Sequence, residues 1–194
     1  HYTIGTIGGN PNSSTDDKKN DNNNDNENID KSKNGFIKEN DNIYYYINGI
    51  VQTGWIEKNG EKYYADKETK QLYNLVHEVD GEKYFFGRTT YKVLKGWIDY
   101  YGDIYYADKK TGRLKRNINE VEGKNYFFGV TGGVIQRGLI EYNGNYYYAD
   151  QKTGELKKGF ITVNGNTYYF GEDYKAKTGW IEKNGEKYYA DKET

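Results

Sequence analysis

The chain has 194 residues, with 28 basic and 29 acidic side chains, no cysteine, no methionine, one proline, 24 glycines and 23 tyrosines. This composition excludes a disulfide framework and thiolate chemistry, and the balanced charge gives no electrostatic footprint for nucleic acid. No apolar run approaches the roughly 18 residues of a membrane span, so we expect no membrane insertion.

Residues 1–34 differ in composition from the rest of the chain. The stretch from Asn10 to Asn34 holds the only proline and all three serines, and it shows no hydrophobic period. A tract this polar cannot offset the entropy cost of ordering. We therefore predict that residues 1–34 are a largely disordered linker or tail of an upstream region, which would make the chain a fragment of a longer protein.

An internal repeat of about 21 residues fills residues 35–194. A tyrosine–aromatic pair recurs in every unit, and a turn glycine recurs in every unit after the first, which gives about eight repeats, the first shorter and the last truncated. The turn glycines are Gly60, Gly81, Gly102, Gly123, Gly144, Gly165 and Gly185. Alternate units end in Tyr-Tyr-Ala-Asp or in aromatic-Gly, so we interpret the structural unit as a pair of about 42 residues.

Each unit predicts a β-hairpin followed by a loop. In the unit that starts at Gly54, the strands would be 55–58 and 61–65, joined by Asn59-Gly60. Asn-Gly and Asp-Gly favour type I′ turns, because both central residues need positive φ. One apolar residue per loop is expected to point back inward: Leu72, Val93, Leu114, Ile135, Leu156 and Ala176. An isolated hairpin is marginal in water, so we predict an all-β solenoid of stacked hairpins.

Strand alternation predicts which tyrosines face solvent. Tyr63 and Ala65 share one face, which we interpret as packing surface, whereas Tyr64 shares the other face with Lys62. The slot of Lys62 holds Lys, Ile, Asn, Tyr or Thr in other units, which indicates a partly wet face. This pattern predicts that the following rings lie next to solvent: Tyr64, Tyr106, Tyr148, Tyr169 and Tyr189.

The segments GWIEKNGEKYYAD, GWIDYYGDIYYAD, GLIEYNGNYYYAD and GFITVNGNTYYFG resemble the cell-wall-binding or choline-binding repeat family. They are most similar to its clostridial type, which includes the repetitive C-terminal regions of large clostridial toxins. The resemblance covers residues 35–194 and implies a solenoid of hairpins that lies outside catalytic domains. It also implies a secreted or cell-surface protein of a Gram-positive cell, held on wall polymers or glycans.

The choline-binding type places a tryptophan directly before the tyrosine pair, and this chain does not. That slot is occupied by Lys62 and its equivalents, and the tryptophan that follows the unit's first glycine survives at three positions. A quaternary ammonium ion needs several aromatic faces. The candidate ligand-binding residues are Trp55, Tyr64, Trp97, Tyr106, Tyr148, Phe160, Tyr169 and Trp180. The alternative for all of them is packing between hairpins.

Three functions stay open at this point. The leading hypothesis is a non-catalytic module that binds cell-wall polysaccharide or a host glycan, and the second is a module that recognises choline on teichoic acid. The third is a structural spacer or an oligomerisation repeat, and the oligomeric state is left open. No serine or cysteine follows residue 34 and His77 is the only histidine there, so we expect no catalytic site, metal or cofactor in this chain. Asp66, Asp108, Asp150 and Asp191 are expected to bond their own loops rather than a sugar.

Overall fold

The structure, a computed structural model, describes residues 29–191, which form seventeen β-strands. The strands pair consecutively into antiparallel hairpins, and a short third strand extends the first one. The first hairpins are β1 (Gly35–Glu39) with β2 (Asn42–Ile47) and β3 (Ile50–Val51), β4 (Gly54–Lys58) with β5 (Glu61–Ala65), β6 (Leu75–Val79) with β7 (Glu82–Phe86), and β8 (Gly96–Tyr100) with β9 (Asp103–Ala107). The later ones are β10 (Asn117–Val121) with β11 (Lys124–Phe128), β12 (Gly138–Tyr142) with β13 (Asn145–Ala149), β14 (Gly159–Val163) with β15 (Asn166–Phe170), and β16 (Gly179–Lys183) with β17 (Glu186–Ala190).

The turn chemistry predicted from the sequence is confirmed. Asn59 has φ 53° and Gly60 has φ 76°, the pair of positive values that a type I′ turn needs. The same holds at the turn of β8 and β9, where a tyrosine takes the first position: Tyr101 has φ 53° and Gly102 has φ 90°. The glycine therefore recurs in every turn from Gly60 onward, while the first turn residue tolerates Asn, Asp, Glu or Tyr.

Each loop connects its own hairpin to the one before. The backbone N–H of Leu114 donates to the carbonyl of Lys83 in the preceding hairpin at 2.8 Å, and the N–H of Lys115 donates to the carbonyl of Tyr106 at 2.8 Å. The predicted apolar loop residues are buried at all positions except Ala176, which is half-buried. These loops provide the hydrogen bonds between neighbouring hairpins that separate two-stranded sheets lack.

Apolar contacts between the hairpins form a series of small clusters. One cluster joins Tyr106, on β9, to Val121, Tyr126 and Phe128 of the next hairpin and to Ile135 in its loop. The same arrangement recurs along the chain, with one face of each hairpin packed against the opposite face of the next. The prediction of an all-β stack of repeated hairpins is confirmed. Among the described residues, no helix is long and apolar enough to cross a membrane.

The prediction that the second tyrosine of each pair faces solvent is wrong for Tyr64 and Tyr106. Their exposed fractions are 7% and 8%, because the following hairpin covers the face that they occupy. Tyr148 and Tyr169 are half-buried, and Tyr189 is exposed in the last described hairpin. A tolerant neighbouring slot therefore does not indicate an open face here: long polar side chains reach water at the edge while the ring beside them is covered.

The predicted linker lies mostly outside the described residues and stays a prediction. Its last residues, from Ile29 to Asn34, are described and contact the first hairpin. The N–H of Gly49 donates to the carbonyl of Lys33 at 2.8 Å, and the N–H of Asn48 donates to Asn34 Oδ1 at 2.7 Å. The first hairpin is thus hydrogen-bonded to the residues directly before it, Lys33 and Asn34.

Candidate binding sites at the hairpin junctions

In the units that begin with a glycine, the residue after that glycine lies at the outer edge of the hairpin. In β4 this residue is Trp55, and strand register places it opposite Tyr64. The indole lies 5.2 Å from the Tyr64 ring at 78° and 5.0 Å from the ring of Tyr84, in the next hairpin, at 74°. Phe86 is 6.4 Å away. Trp55 itself keeps 41% of its surface exposed, whereas Tyr64, Tyr84 and Phe86 are buried. Solvent therefore reaches the cluster only at the indole.

The same cluster is built again 42 residues later. Trp97 lies 5.0 Å from Tyr106 at 71° and 5.2 Å from Tyr126 at 76°, with Phe128 at 6.4 Å, and it is 40% exposed. We call these two clusters, Trp55 with Tyr64, Tyr84 and Phe86 and Trp97 with Tyr106, Tyr126 and Phe128, the tryptophan junctions. Their agreement shows that two units 42 residues apart build the same aromatic cluster.

Each tryptophan junction has an acidic residue in the adjacent turn. Trp97 Nε1 donates to Glu122 Oε2 at 3.4 Å, and Glu122 is also paired with Lys109 at 2.9 Å. The hydrogen bond from Lys109 is the largest influence on the carboxyl of Glu122 and lowers its pKa. Asp80 occupies the equivalent turn position in the hairpin that follows Trp55. A carboxylate therefore stands next to an exposed indole in one junction and at the matching position in the other.

Two further junctions carry phenylalanine at the outer edge. Phe36 lies 4.8 Å from Tyr45 and 4.7 Å from Tyr63, in the next hairpin. Phe160 has the same neighbours at the same distances, Tyr169 at 4.8 Å and Tyr188 at 4.7 Å. We call Phe36 with Tyr45 and Tyr63, and Phe160 with Tyr169 and Tyr188, the phenylalanine junctions.

The structure brings together most of the candidate residues, in pairs. Trp55 with Tyr64, Trp97 with Tyr106 and Phe160 with Tyr169 meet as cross-strand partners. Tyr148 does not join such a pair, because its partner is Leu139 and its ring lies 6.2 Å from Phe170.

The sequence analysis did not include the ring that the next hairpin contributes. These missed residues are Tyr63, Tyr84, Tyr126 and Tyr188. Each lies 27 to 29 residues after the outer ring, and this near-regular spacing is the signal that could have identified them. Trp180 contacts Tyr189 at 5.3 Å and is 75% exposed, because no later hairpin lies within residues 29–191 to cover it.

A family profile for the cell wall binding repeat matches residues 53–68, 158–173 and 178–193. Three segments of this chain thus match the cell wall binding repeat. The matched segments include the repeats of Trp55, Phe160 and Trp180, and the repeat of Trp97 has the same hairpin. The resemblance to this family predicted from the sequence is confirmed, whereas the narrower likeness to clostridial toxins stays a prediction.

Solved structures share the fold of this chain. Choline binding protein F from Streptococcus pneumoniae, determined in the presence of a peptidoglycan analogue, is 26% identical over 79% of this chain and 54% of its own, with a TM-score of 0.65. CbpJ from Streptococcus pneumoniae is 23% identical over 79% of this chain and 55% of its own, with a TM-score of 0.64. The chain thus spans about half the length of these proteins. No curated protein matches it in a sequence search.

Three of the four aspartates predicted to bond their own loops do so: Asp66, Asp108 and Asp150. The loop that follows Asp191 lies outside the described residues, so that part stays a prediction. Asp66 Oδ1 accepts hydrogen bonds from the N–H groups of Glu68 and Thr69 at 2.9 and 2.8 Å, and Asp66 Oδ2 accepts one from the Tyr73 hydroxyl at 2.7 Å. The two N–H bonds recur at Asp108 and Asp150. His77 stacks on Tyr73 at 3.9 Å, and burial lowers its pKa. The aspartates thus hold the loops in place, and His77 packs from strand β6. The part of the chain from 29 to 191 holds no cluster of three or more His, Cys, Asp or Glu suited to a metal.

We expect the loop of Asp66 to weaken in acid. The backbone hydrogen bond from Thr69, with the further bonds to this carboxylate, lowers the pKa of Asp66 from 3.8 to about 2. Because the folded-state pKa is the lower one, its stabilisation is complete above pH 4 and is lost as pH falls towards 2. Asp66→Asn should lower the melting temperature by a few degrees at pH 6, and the difference should shrink at pH 2. Glu68→Gln, an equal charge change on an exposed side chain, is the control; a pH-independent difference would contradict the role of this carboxylate.

Proposed function

We propose that this chain is a non-catalytic module that attaches a protein to the cell wall, and that the tryptophan junctions bind quaternary ammonium groups such as teichoic-acid choline. The observation that carries the proposal is the repeated combination of a half-open indole, two tyrosines of adjacent hairpins and an acidic turn residue. The name of choline binding protein F, whose fold aligns with most of this chain, supports the same ligand class.

The chemistry of the tryptophan junctions suits a bulky cation. A quaternary ammonium has no N–H to donate, so it is held by ring faces, each worth about 0.5–2 kcal/mol. The carboxylate of Glu122, which also pairs with Lys109 at 2.9 Å, lies at the rim of one junction, and Asp80 holds the matching position in the other. Such a shallow site is expected to bind at about millimolar strength, near −4 kcal/mol. Two sites on one chain, facing a polymer that repeats its headgroup, then gain avidity of about 10²–10⁴.

A glycan is the second candidate ligand, and one cleft favours it. A cavity of about 630 Å³ is lined by residues of the last three described hairpins, among them Tyr146, Thr167, Lys177 and Tyr189. Tyr146 is 42% exposed, which leaves ring surface for the apolar face of a sugar beside hydroxyl and ammonium donors. Choline binding protein F was crystallised in the presence of a peptidoglycan analogue, which is consistent with a wall saccharide as a second contact.

The test is retention of the chain on purified cell walls that contain choline and on walls in which ethanolamine replaces it. The proposal expects binding to the choline-containing walls and release by millimolar free choline. Retention on both walls, with release by wall saccharides and not by choline, would favour the glycan. A folded chain that binds neither wall would support the third hypothesis, a structural spacer.

A further inference from the structure

The phenylalanine junctions already contain a cation, supplied by the chain. Lys58 Nζ, in β4, lies 5.7 Å from the centroid of Phe36 and 5.1 Å from that of Tyr45. Lys183 Nζ, in β16, lies 5.7 Å from the centroid of Tyr169 in the other phenylalanine junction. Both lysines come from the hairpin that follows the outer ring, at the residue directly before the turn. An ammonium group within about 6 Å of a ring face is the arrangement of a cation–π contact.

We propose that Lys58 and Lys183 occupy the phenylalanine junctions as internal ligands, so that these junctions exclude quaternary ammonium groups that the tryptophan junctions accept. This proposal rests on the proposed function, and it specifies which junctions can bind a quaternary ammonium group. The lysines are thereby residues that determine where along the repeat array the ligand binds.

The residues at the same turn in the tryptophan junctions differ in size and charge. The position of Lys58 is taken there by Val79 and Val121, which are buried and have no charge to place over the rings. The next residue is acidic, Asp80 or Glu122, where the phenylalanine junctions have Asn59 or Asn184. When the outer ring is a tryptophan, the turn of the next hairpin reads valine, acidic residue, glycine. When it is a phenylalanine, that turn reads lysine, asparagine, glycine. The first combination leaves the ring cluster open with an acidic residue at its rim, and the second places a lysine ammonium over the rings.

Competition explains why the internal lysine would dominate. An ammonium tethered a few bonds from its site acts at an effective concentration of millimolar or more, comparable to the ligand concentration that a shallow site needs. A quaternary ammonium must displace this group from the rings, and at the phenylalanine junctions Asn59 and Asn184 provide no rim carboxylate to help it. The apparent affinity of a phenylalanine junction for a quaternary ammonium ion should therefore be lower than that of a tryptophan junction by about tenfold or more.

The experiment measures how many tetramethylammonium ions the full chain binds, by equilibrium dialysis, in the wild type and in Lys58→Ala. We expect two sites in the wild type and a third in Lys58→Ala. Lys58→Arg keeps a cation over the rings and should stay at two, as should Lys62→Ala, which removes a lysine of the same hairpin that pairs with Glu57 at 3.0 Å. Removing the half-exposed Lys58 side chain creates no core cavity, so the variant is expected to fold.

A second measurement tests the internal contact without any ligand. The Hε protons of Lys58 should be shifted upfield in NMR spectra by the ring currents of Phe36 and Tyr45, and those of Lys62 should not. Unshifted Lys58 protons, or a Lys58→Ala chain with no added site, would overturn the inference. A wild type that binds nothing while Lys58→Ala binds one ion would support the inference and contradict the proposed function. Two sites in both chains would contradict the inference alone.

Discussion

Replacing Trp55 and Trp97 together by alanine is expected to reduce retention on choline-containing walls by roughly 10²-fold. Each substitution removes the half-open indole of one junction, and with it the largest ring face available to the ligand. The double variant loses both sites and therefore the avidity between them, whereas each single variant keeps one weak site. Retention on purified walls, measured against chain concentration, gives the ratio.

Trp180→Ala is the matched control for the two tryptophans. This indole contacts Tyr189 but lacks a tyrosine from a following hairpin within the described residues, so its removal should change retention much less. Circular dichroism and melting curves of all the variants must resemble those of the wild type. If Trp97→Ala unfolds its repeats as far as it lowers binding, Trp97 is a packing residue and the proposed site is wrong.

Phe128→Ala is expected to lower the free energy of unfolding of the surrounding repeats by about 3–5 kcal/mol. Phe128 is fully buried between Tyr106, Val121, Tyr126 and Ile135. The substitution therefore leaves a cavity that these side chains cannot fill without moving. In an array of repeats each unit contacts only its neighbours, so the loss should be local. Hydrogen exchange should show faster exchange in the hairpins around Phe128 and little change in distant ones.

Phe160→Ala removes the same atoms from a half-exposed position and serves as its control. Water already reaches part of this ring, so the loss of stability should be clearly smaller than at Phe128. Equal losses at the two positions would show that the buried clusters are not the main source of stability. Urea unfolding followed by hydrogen exchange separates the two cases.

The hairpins were predictable because their determinants are local. An Asn-Gly or Asp-Gly pair between two short strands has few conformations to choose from, and the observed φ values at Asn59 and Gly60 are those of the predicted turn. The apolar loop residues were predicted by period alone, and their burial follows from the bridge that each forms with its own hairpin, such as that of Leu114 with Ala107.

The candidate site was predicted only in part. Trp55 and Trp97 were identified by their place after the glycine, and Tyr64 and Tyr106 by strand alternation, but that each tryptophan lies opposite one of these tyrosines came from the structure. The exposure of those tyrosines was predicted wrongly, because alternation along a strand distinguishes two faces but does not say whether another hairpin covers the second one.

By itself, the sequence determined the repeat, the hairpins and the position of the outer rings, since these depend on residues a few positions apart. Only the tertiary structure decided that Tyr84 and Tyr126 complete the tryptophan junctions and that Lys58 reaches back over Phe36. These contacts join residues of successive hairpins. They depend on how one hairpin is rotated against the next, which is set by packing of buried rings and loop hydrogen bonds rather than by any local preference of the chain.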